Sequence, residues 1–259
     1  MIATDAARWP SLKGKRVLVT GASSGIGAAA AAVMGAQEAW VGIHFRQNEA
    51  GATVVAEQVR AAGGRVLLLD GDLCVPDERD RLVARFVAEW NGIDVLVNNA
   101  GGVSTYADFT ELEETDWDDT MDINAKAPLW LSRAVWPHMV AQHCGRIINV
   151  SSAAVGYGGS AKGVHYTASK AALEGVTAAL AREGAKSNIL VNAVRSGLIA
   201  TGMHRRISGY SEEQFLHRAS LVPLGRPGDP YEVAATIAFL ASREGGFITG
   251  QVIAVAGGD

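Results

Sequence analysis

The sequence predicts one α/β domain: a doubly wound parallel sheet of about seven strands with helices on both faces. Three observations carry this expectation. Short strand-like patterns and longer helix-like patterns alternate from end to end. Strand runs such as VLLL at 66–69 are apolar on both faces, which suits a parallel sheet covered on each side by helices. No composition break, linker or repeat divides the 259 residues.

Taken in order, Arg16–Val19 reads as a buried strand, 20–27 as a glycine-rich turn and 28–36 as an alanine-rich helix. In that context Gly21 lets the chain leave the strand with unusual dihedrals. Gly25 would let backbone approach a pyrophosphate, and Gly27 would permit close contact between helix and sheet. The N–H groups at the helix start attract phosphate. Alone, three spaced glycines also fit an ordinary strand–helix turn. A second strand follows at Trp40–Phe45, then a helix over 49–62 ending at Gly63-Gly64, and a third strand at 66–69. An amphipathic helix over 77–90 precedes a fourth strand at 94–97 and the turn Asn98-Asn99-Ala100-Gly101-Gly102. The rest reads as a long helix over 117–142, a strand at 146–150, an alanine-rich helix over 166–186 and a strand at 189–194. A polar, irregular stretch covers 198–222, a helix 229–241 with Pro230 in its first turn, and a last short strand 251–255.

Composition removes several function classes. A net charge of −4 and a pI near 5.9 lack the basic footprint of a nucleic-acid binder. No apolar run approaches the ~20 residues of a membrane span, and the first residues lack the basic-then-apolar order of a secretory signal. A cytoplasmic protein without membrane partners is expected. Cys74 and Cys144 are isolated and read as reduced thiols. The six histidines show no metal-ligand spacing, so no metal is expected.

Ligands of such sheets bind beyond the carboxyl ends of the strands, which gathers Gly21, Asn98, Ser151-Ser152 and Arg195 on one rim. Tyr166 and Lys170 are four apart on a predicted helix and share a face. A nearby ammonium favours the phenolate and lowers a pKa normally near ~10, which makes a better acid/base at neutral pH. In isolation the pair equally fits a solvated lysine beside a packed tyrosine. Ser152 ends a strand, where a capping hydroxyl would also sit. Asn124 lies in a helical pattern that asparagine serves poorly, the alternative being an exposed polar residue.

Five motifs then bear jointly on the reading: TGASSGIG at 20–27, NNAG at 98–101, NVSS at 149–152, YTASK at 166–170 and ITGQ at 248–251. In order and over almost the whole chain they resemble the short-chain dehydrogenase/reductase family, in general style its 3-oxoacyl-carrier-protein reductases. The resemblance implies a Rossmann-type fold, with the cofactor part mainly in 15–150 and the catalytic and substrate part mainly in 151–259. It implies hydride transfer between a nicotinamide and the carbonyl or secondary alcohol of a small organic substrate. Tyr166 would be the proton donor or base. Lys170 would hold the nicotinamide ribose and depress the tyrosine pKa. Ser152 would bond the substrate oxygen, and Asn124 would place a water linking Lys170 to solvent. Ser152 precedes Tyr166 by one position more than the family's usual spacing, which points to an extra residue in 153–165 and keeps Ser151 as the alternative.

Cofactor contacts are implied for Gly21, Ser23, Ser24, Gly25, Ile26 and Gly27 in the first turn. Asp72 and Leu73 would lie by the adenine, and Asn99, Ala100 and Gly101 by the dinucleotide. Tyr166, Lys170, Gly197, Ile199 and Thr201 would serve the nicotinamide end, with Thr201 on the carboxamide. Asn98 would mainly steady the sheet. Arg195-Ser196-Gly197 stands where the family has Pro-Gly, and serine does not fix φ as proline does. NAD-preferring members place an acid at the end of the second strand; that position here is Phe45, followed by Arg46. A guanidinium matches phosphate, so NADP(H) is expected, with Arg46 on the 2′-phosphate, Ser24 or Asn48 assisting and NAD(H) as second choice. An exposed loop arginine is the alternative.

Substrate walls are expected from 102–112, 153–163 and 201–222, with Tyr106, Phe109, Tyr157, Met203, Tyr210 and Phe215 as apolar surface or as packing. The positions at which the resemblance places carrier-protein-docking cations hold Trp130 and Ser187, with Lys186 and Arg133 displaced. A small free ketone or alcohol is therefore expected over a carrier-bound one. A homotetramer is implied, with Trp117, Trp130 and Trp136 either at an interface or in the core. The rival readings are a catalytically silent NADP-binding regulator, a 3-oxoacyl-carrier-protein reductase, and a family member doing dehydration or epimerisation.

Overall fold

Strands and helices alternate as the apolar pattern implies. The computed structural model describes residues 11–103, 105–202 and 211–259. Seven strands are formed among them: β1 (Arg16–Val19), β2 (Trp40–Phe45), β3 (Arg65–Asp70), β4 (Val95–Asn98), β5 (Gly145–Ser152), β6 (Ile189–Ser196) and β7 (Val252–Val255). They make one parallel sheet in the order β3-β2-β1-β4-β5-β6-β7. The order reverses direction between β1 and β4, the place at whose carboxyl ends sheets of this kind open a crevice.

Alternate side chains serve the two faces. Val17, Val19, Val41 and Ile43 pack against α1 (Gly25–Ala36), α2 (Glu49–Ala61) and α9 (Pro230–Ala241). Leu18, Leu69, Leu96 and Ile147 pack against α3 (Pro76–Trp90), α5 (Ala127–Gln142) and α7 (Val164–Gly184). At the sheet's amino end Arg16 clasps Asp94, Nε to Oδ2 at 2.7 Å and Nη2 to Oδ1 at 3.0 Å, across 78 residues of sequence.

Three helical regions differ from the sequence expectation. The helix expected over 117–142 is α4 (Glu114–Met121), a π-helical turn at Asp122–Lys126, and α5. Apolar periodicity is read over windows of roughly 11–18 residues, and a wider turn of five residues is too short to stand out in it. Within the stretch read as irregular, α8 (Glu212–Ser220) begins with a capping box between Ser211 and Gln214. The segment before Tyr166 holds α6 (Ala154–Tyr157) and a 3-10 turn at Ala161–Gly163. Met203 and Tyr210 lie outside the described residues. No helix among the described residues is long and apolar enough to cross a membrane.

Candidate active site

The glycine turn is locked to the NNAG turn. Thr20 Oγ1 accepts the N–H groups of Asn99 at 2.9 Å and Ala100 at 3.0 Å. Asn99 Nδ2 returns bonds to the carbonyls of Thr20 at 2.8 Å and Gly21 at 3.1 Å. Gly21 takes φ +63°, and a Cβ there would stand 2.9 Å from Ala100 Cα, so only glycine fits this approach. A Cβ on Gly27 would meet Asn99 Nδ2 at 2.4 Å. Ser24 is the N-cap of α1, whose first turn carries no acid. The first N–H groups of a helix have no partner within it, so Gly25, Ile26 and Gly27 form a cradle suited to a phosphate. Thr201 closes over it, its methyl 3.2 Å from where a Cβ on Gly25 would be. Gly197 donates its N–H to Val255 at 3.0 Å, and Ile199 is buried beside Gly228.

Across the crevice, α7 presents Tyr166, Lys170 and Glu174 on one face. The Lys170 side chain is 4% exposed and its Nζ donates to Val150 O at 2.9 Å. It lies 5.8 Å from the centre of the Tyr166 ring. Burial pushes the Lys170 ammonium down to about 8. Burial also raises the Tyr166 phenol above its ordinary value, while a side-chain hydrogen bond with Ser152 pulls the other way. The expected lowering of Tyr166 by Lys170 is not found: burial of the phenol dominates, and the opposing pull comes from Ser152. Ser151 and Ser152 meet different residues of α7. Ser151 Oγ donates to Glu174 Oε1 at 2.7 Å, whereas Ser152 faces Tyr166 and accepts Ala154 N–H at 3.2 Å.

Asn124 sits in the π-helical turn, fully buried. Gly102 donates its N–H to Asn124 Oδ1 at 3.0 Å and accepts from Nδ2 at 2.6 Å. A Cβ on Gly101 would meet Asn124 Oδ1 at 2.4 Å and Lys170 Nζ at 3.1 Å. Asn124, Gly101 and Lys170 thus converge on one point. A π turn redirects a side chain relative to a regular helix, a device frequent at functional sites.

At the far end of the crevice Arg46 is 60% exposed and touches Asp72 Oδ2 at 3.5 Å. Asp72 Oδ1 also accepts Cys74 N–H at 2.9 Å. Leu73 points its side chain into the core, away from the rim on which it was expected. Asn48 is committed as the cap of α2, accepting Gly51 N–H at 3.1 Å, and its Nδ2 donates to Ser23 O at 3.3 Å. Asn98 Nδ2 donates to Asn149 Oδ1 at 2.8 Å between adjacent strands, as a sheet-steadying residue should.

Of the expected walls, Tyr106 stands beside Gly163, Phe109 and Tyr157 are exposed, and Phe215 is buried as packing. The Arg218 guanidinium lies 5.5 Å from the centre of the Tyr157 ring. Two features had no counterpart in the sequence reading. Arg195 clasps Glu174 through Nε and Nη2, both at 2.7 Å, so Ser151, Glu174 and Arg195 brace the exits of β5 and β6 against α7. His44 is buried between β1 and β3, bonded at both ring nitrogens. Neither pairing joins neighbours in sequence, so no local signal announces it. Chemically, the arrangement can place a phenol and a serine hydroxyl at one oxygen atom, with a buried ammonium beside the phenol ring and a helix N-terminus suited to phosphate nearby. Among the described residues no cluster of His, Cys, Asp or Glu could hold a metal.

Residues 21–259 match the protein-family profile described as Enoyl-(Acyl carrier protein) reductase. The chain is 39% identical over 247 residues to Nodulation protein G of Rhizobium sp. (strain N33), covering 95% of this chain and 97% of that one. It is 38% identical over 247 residues to the 3-oxoacyl-[acyl-carrier-protein] reductase FabG of Thermotoga maritima, covering 95% and 98%. Among solved structures, the angucycline C-6 ketoreductase LanV with bound NADP superposes with a TM-score of 0.88 at 33% identity, covering 96% of each chain.

Proposed function

We propose a function from one premise: the chain belongs to the short-chain dehydrogenase/reductase family. It is an NADP(H)-dependent oxidoreductase acting on the carbonyl or secondary alcohol of a small molecule. The bound nicotinamide supplies or accepts the hydride. The protein's own residues supply orientation and a proton. Tyr166 gives a proton to the carbonyl oxygen, or takes one from the alcohol, and Ser152 holds that oxygen. The single observation that carries this reading is the convergence of Ser152 and Lys170 on Tyr166 at the open end of the sheet. Lys170, held near 8 by burial, exchanges a proton near neutral pH more readily than an exposed lysine. Asn124 fixes Gly101-Gly102 beside it. Each side-chain amide atom of Asn124 bonds Gly102 and keeps one further site with which to hold a water.

The phosphates belong on the first turn of α1, Asn99-Ala100-Gly101 lines the dinucleotide, and Arg46 takes the 2′-phosphate. The exposure of Arg46 and its single long contact support that role, since little must break for the guanidinium to swing. The substrate is a free ketone or alcohol: Arg133 is folded over the ring of Trp130 at 4.7 Å, and Ser187 offers no charge. Assembly is a homotetramer in the cytoplasm. Trp117 and Trp130, each 39% exposed, are available to an interface, while Trp136 packs against Gly184.

The test follows NADPH absorbance against a panel of ketones, with Tyr166→Phe alongside. The wild type should oxidise NADPH with at least one ketone. The variant should lose ~10²–10⁴-fold in rate, the usual worth of general acid help, and still bind NADPH. Normal turnover by the variant would remove Tyr166 from its role. Tight NADPH binding without turnover on any carbonyl would favour the silent regulator.

A further inference from the structure

His44 is buried at the centre of the rim, and it has a defined hydrogen-bonding state. Nδ1 lies 3.1 Å from Gly21 N, and Nε2 lies 3.0 Å from Gly71 O. A backbone N–H can only donate and a backbone carbonyl can only accept. Nδ1 must therefore be the bare nitrogen and Nε2 must carry the proton. Protonation of Nδ1 would set one N–H against another. Burial lowers the His44 pKa, outweighing the opposing pull of the Gly71 carbonyl, Asp72 and Asp70, so the neutral ring is the form present at neutral pH.

The three groups joined here belong to different strands. Gly21 opens the glycine turn after β1, and the His44 carbonyl also takes Ala22 N–H at 2.8 Å. Gly71 follows β3 and leads directly into Asp72, while its own N–H goes to Phe45 O at 3.1 Å. Arg46 follows Phe45 and reaches Asp72. One imidazole thus spans β2 and ties the phosphate cradle to the turn that carries the adenosine end. A turn held in its bound geometry beforehand has less ordering left to undergo on binding.

We propose that His44 is a positioning residue for the adenosine half of the dinucleotide, setting affinity for NADPH and NADH alike through Gly21 and Gly71. This rests on the reading of the rim as a dinucleotide site. It separates His44 from Arg46, which faces only the 2′-phosphate.

Equilibrium binding without substrate tests it, using NADPH and NADH in turn with the full chain. His44→Ala should weaken both by a similar factor, on the order of tenfold, the cost of ordering on binding a turn no longer held beforehand. His44→Asn keeps an acceptor close to the Nδ1 position and should restore most of that affinity. His44→Gln, whose amide lies nearer the Nε2 position, should restore less. A residue that only supports the fold would shift the unfolding midpoint without this rank order. Unchanged affinity for both dinucleotides in folded His44→Ala overturns the proposal. If that variant does not fold, equal binding by His44→Asn, His44→Gln and wild type overturns it. Failure of the wild type to bind either dinucleotide would instead refute the rim assignment on which the proposal rests.

Discussion

The brace of Ser151, Glu174 and Arg195 permits a quantitative test. Arg195-Ser196 occupies a strand exit where the family resemblance expects proline, so something other than ring geometry must hold the chain. Glu174 Oε1 accepts both Ser151 Oγ and Arg195 Nε, and Oε2 accepts Arg195 Nη2, every distance being 2.7 Å. The Arg195 and Glu174 side chains are 29% and 11% exposed. The shared bonds raise the Arg195 pKa further, so it stays charged throughout. Glu174→Ala removes two charge-assisted bonds, worth ~1.5–3 kcal/mol each before water returns to the partly exposed guanidinium, and leaves the Ser151 hydroxyl buried without its acceptor. The net cost should be about 3 kcal/mol. Arg195→Ala strands a mostly buried carboxylate and should cost about as much. The double variant should cost about 4 kcal/mol instead of the additive ~6, a coupling of ~2 kcal/mol. Urea unfolding followed by circular dichroism at one protein concentration measures all four chains. Thermal midpoints should fall by roughly 6–12 °C in each single variant. Additivity within ~0.5 kcal/mol would refute the brace.

Two further outcomes are expected. Lys170 titrates near 8 when folded against an ordinary 10.5, so between these values the unfolded chain binds more protons and wild-type stability rises with pH. Below that window its buried charge costs up to ~3 kcal/mol, at ~1.36 kcal/mol per pH unit. Lys170→Met should accordingly be more stable than wild type at pH 7, lose turnover, and show a flatter dependence from pH 8 to 10.5; a lower urea midpoint at pH 7 would contradict this. Arg46→Ala should raise KM for NADPH roughly tenfold or more while leaving that for NADH nearly unchanged, by loss of a charge-assisted contact, and equal effects in steady-state assays would remove Arg46 from the 2′-phosphate.

The sheet was legible because each strand carries its own apolar run and each helix its own period. Trp40–Phe45 and Arg16–Val19 appear at the bounds expected of them. Tyr166 and Lys170 were legible for the same reason, since helical spacing is local. The π-helical turn around Asn124 was not, because five residues of altered ladder are lost in an apolar pattern read over roughly 11–18 residues. α8 was missed where its charged residues, such as Glu212, Glu213 and Arg218, outweigh the buried Phe215 and Ala219 in a composition reading. Leu73 was set on the rim by analogy of position, yet a leucine beside Leu69 and Leu82 is better buried. His44 and Arg195 act through partners on other strands and helices. Their chemistry depends on distances that no one-dimensional pattern contains.

The sheet order also governs how the molecule is made. β1 cannot acquire its β4 neighbour until the ribosome has added the chain that separates Arg16 from Asp94, 78 residues in all. At ~5–20 residues per second that wait is roughly 4–16 s. During it β1 and β2 carry bare edges rich in β-branched and aromatic side chains, the features that recruit chaperones or neighbouring nascent chains. Closing long loops before any pairing rewards them makes such topologies slow to fold. β6 in turn meets β7 only after the chain separating Ala193 from Val252 has been added. Until each of these later strands arrives, the growing chain is a half-sheet with an open edge.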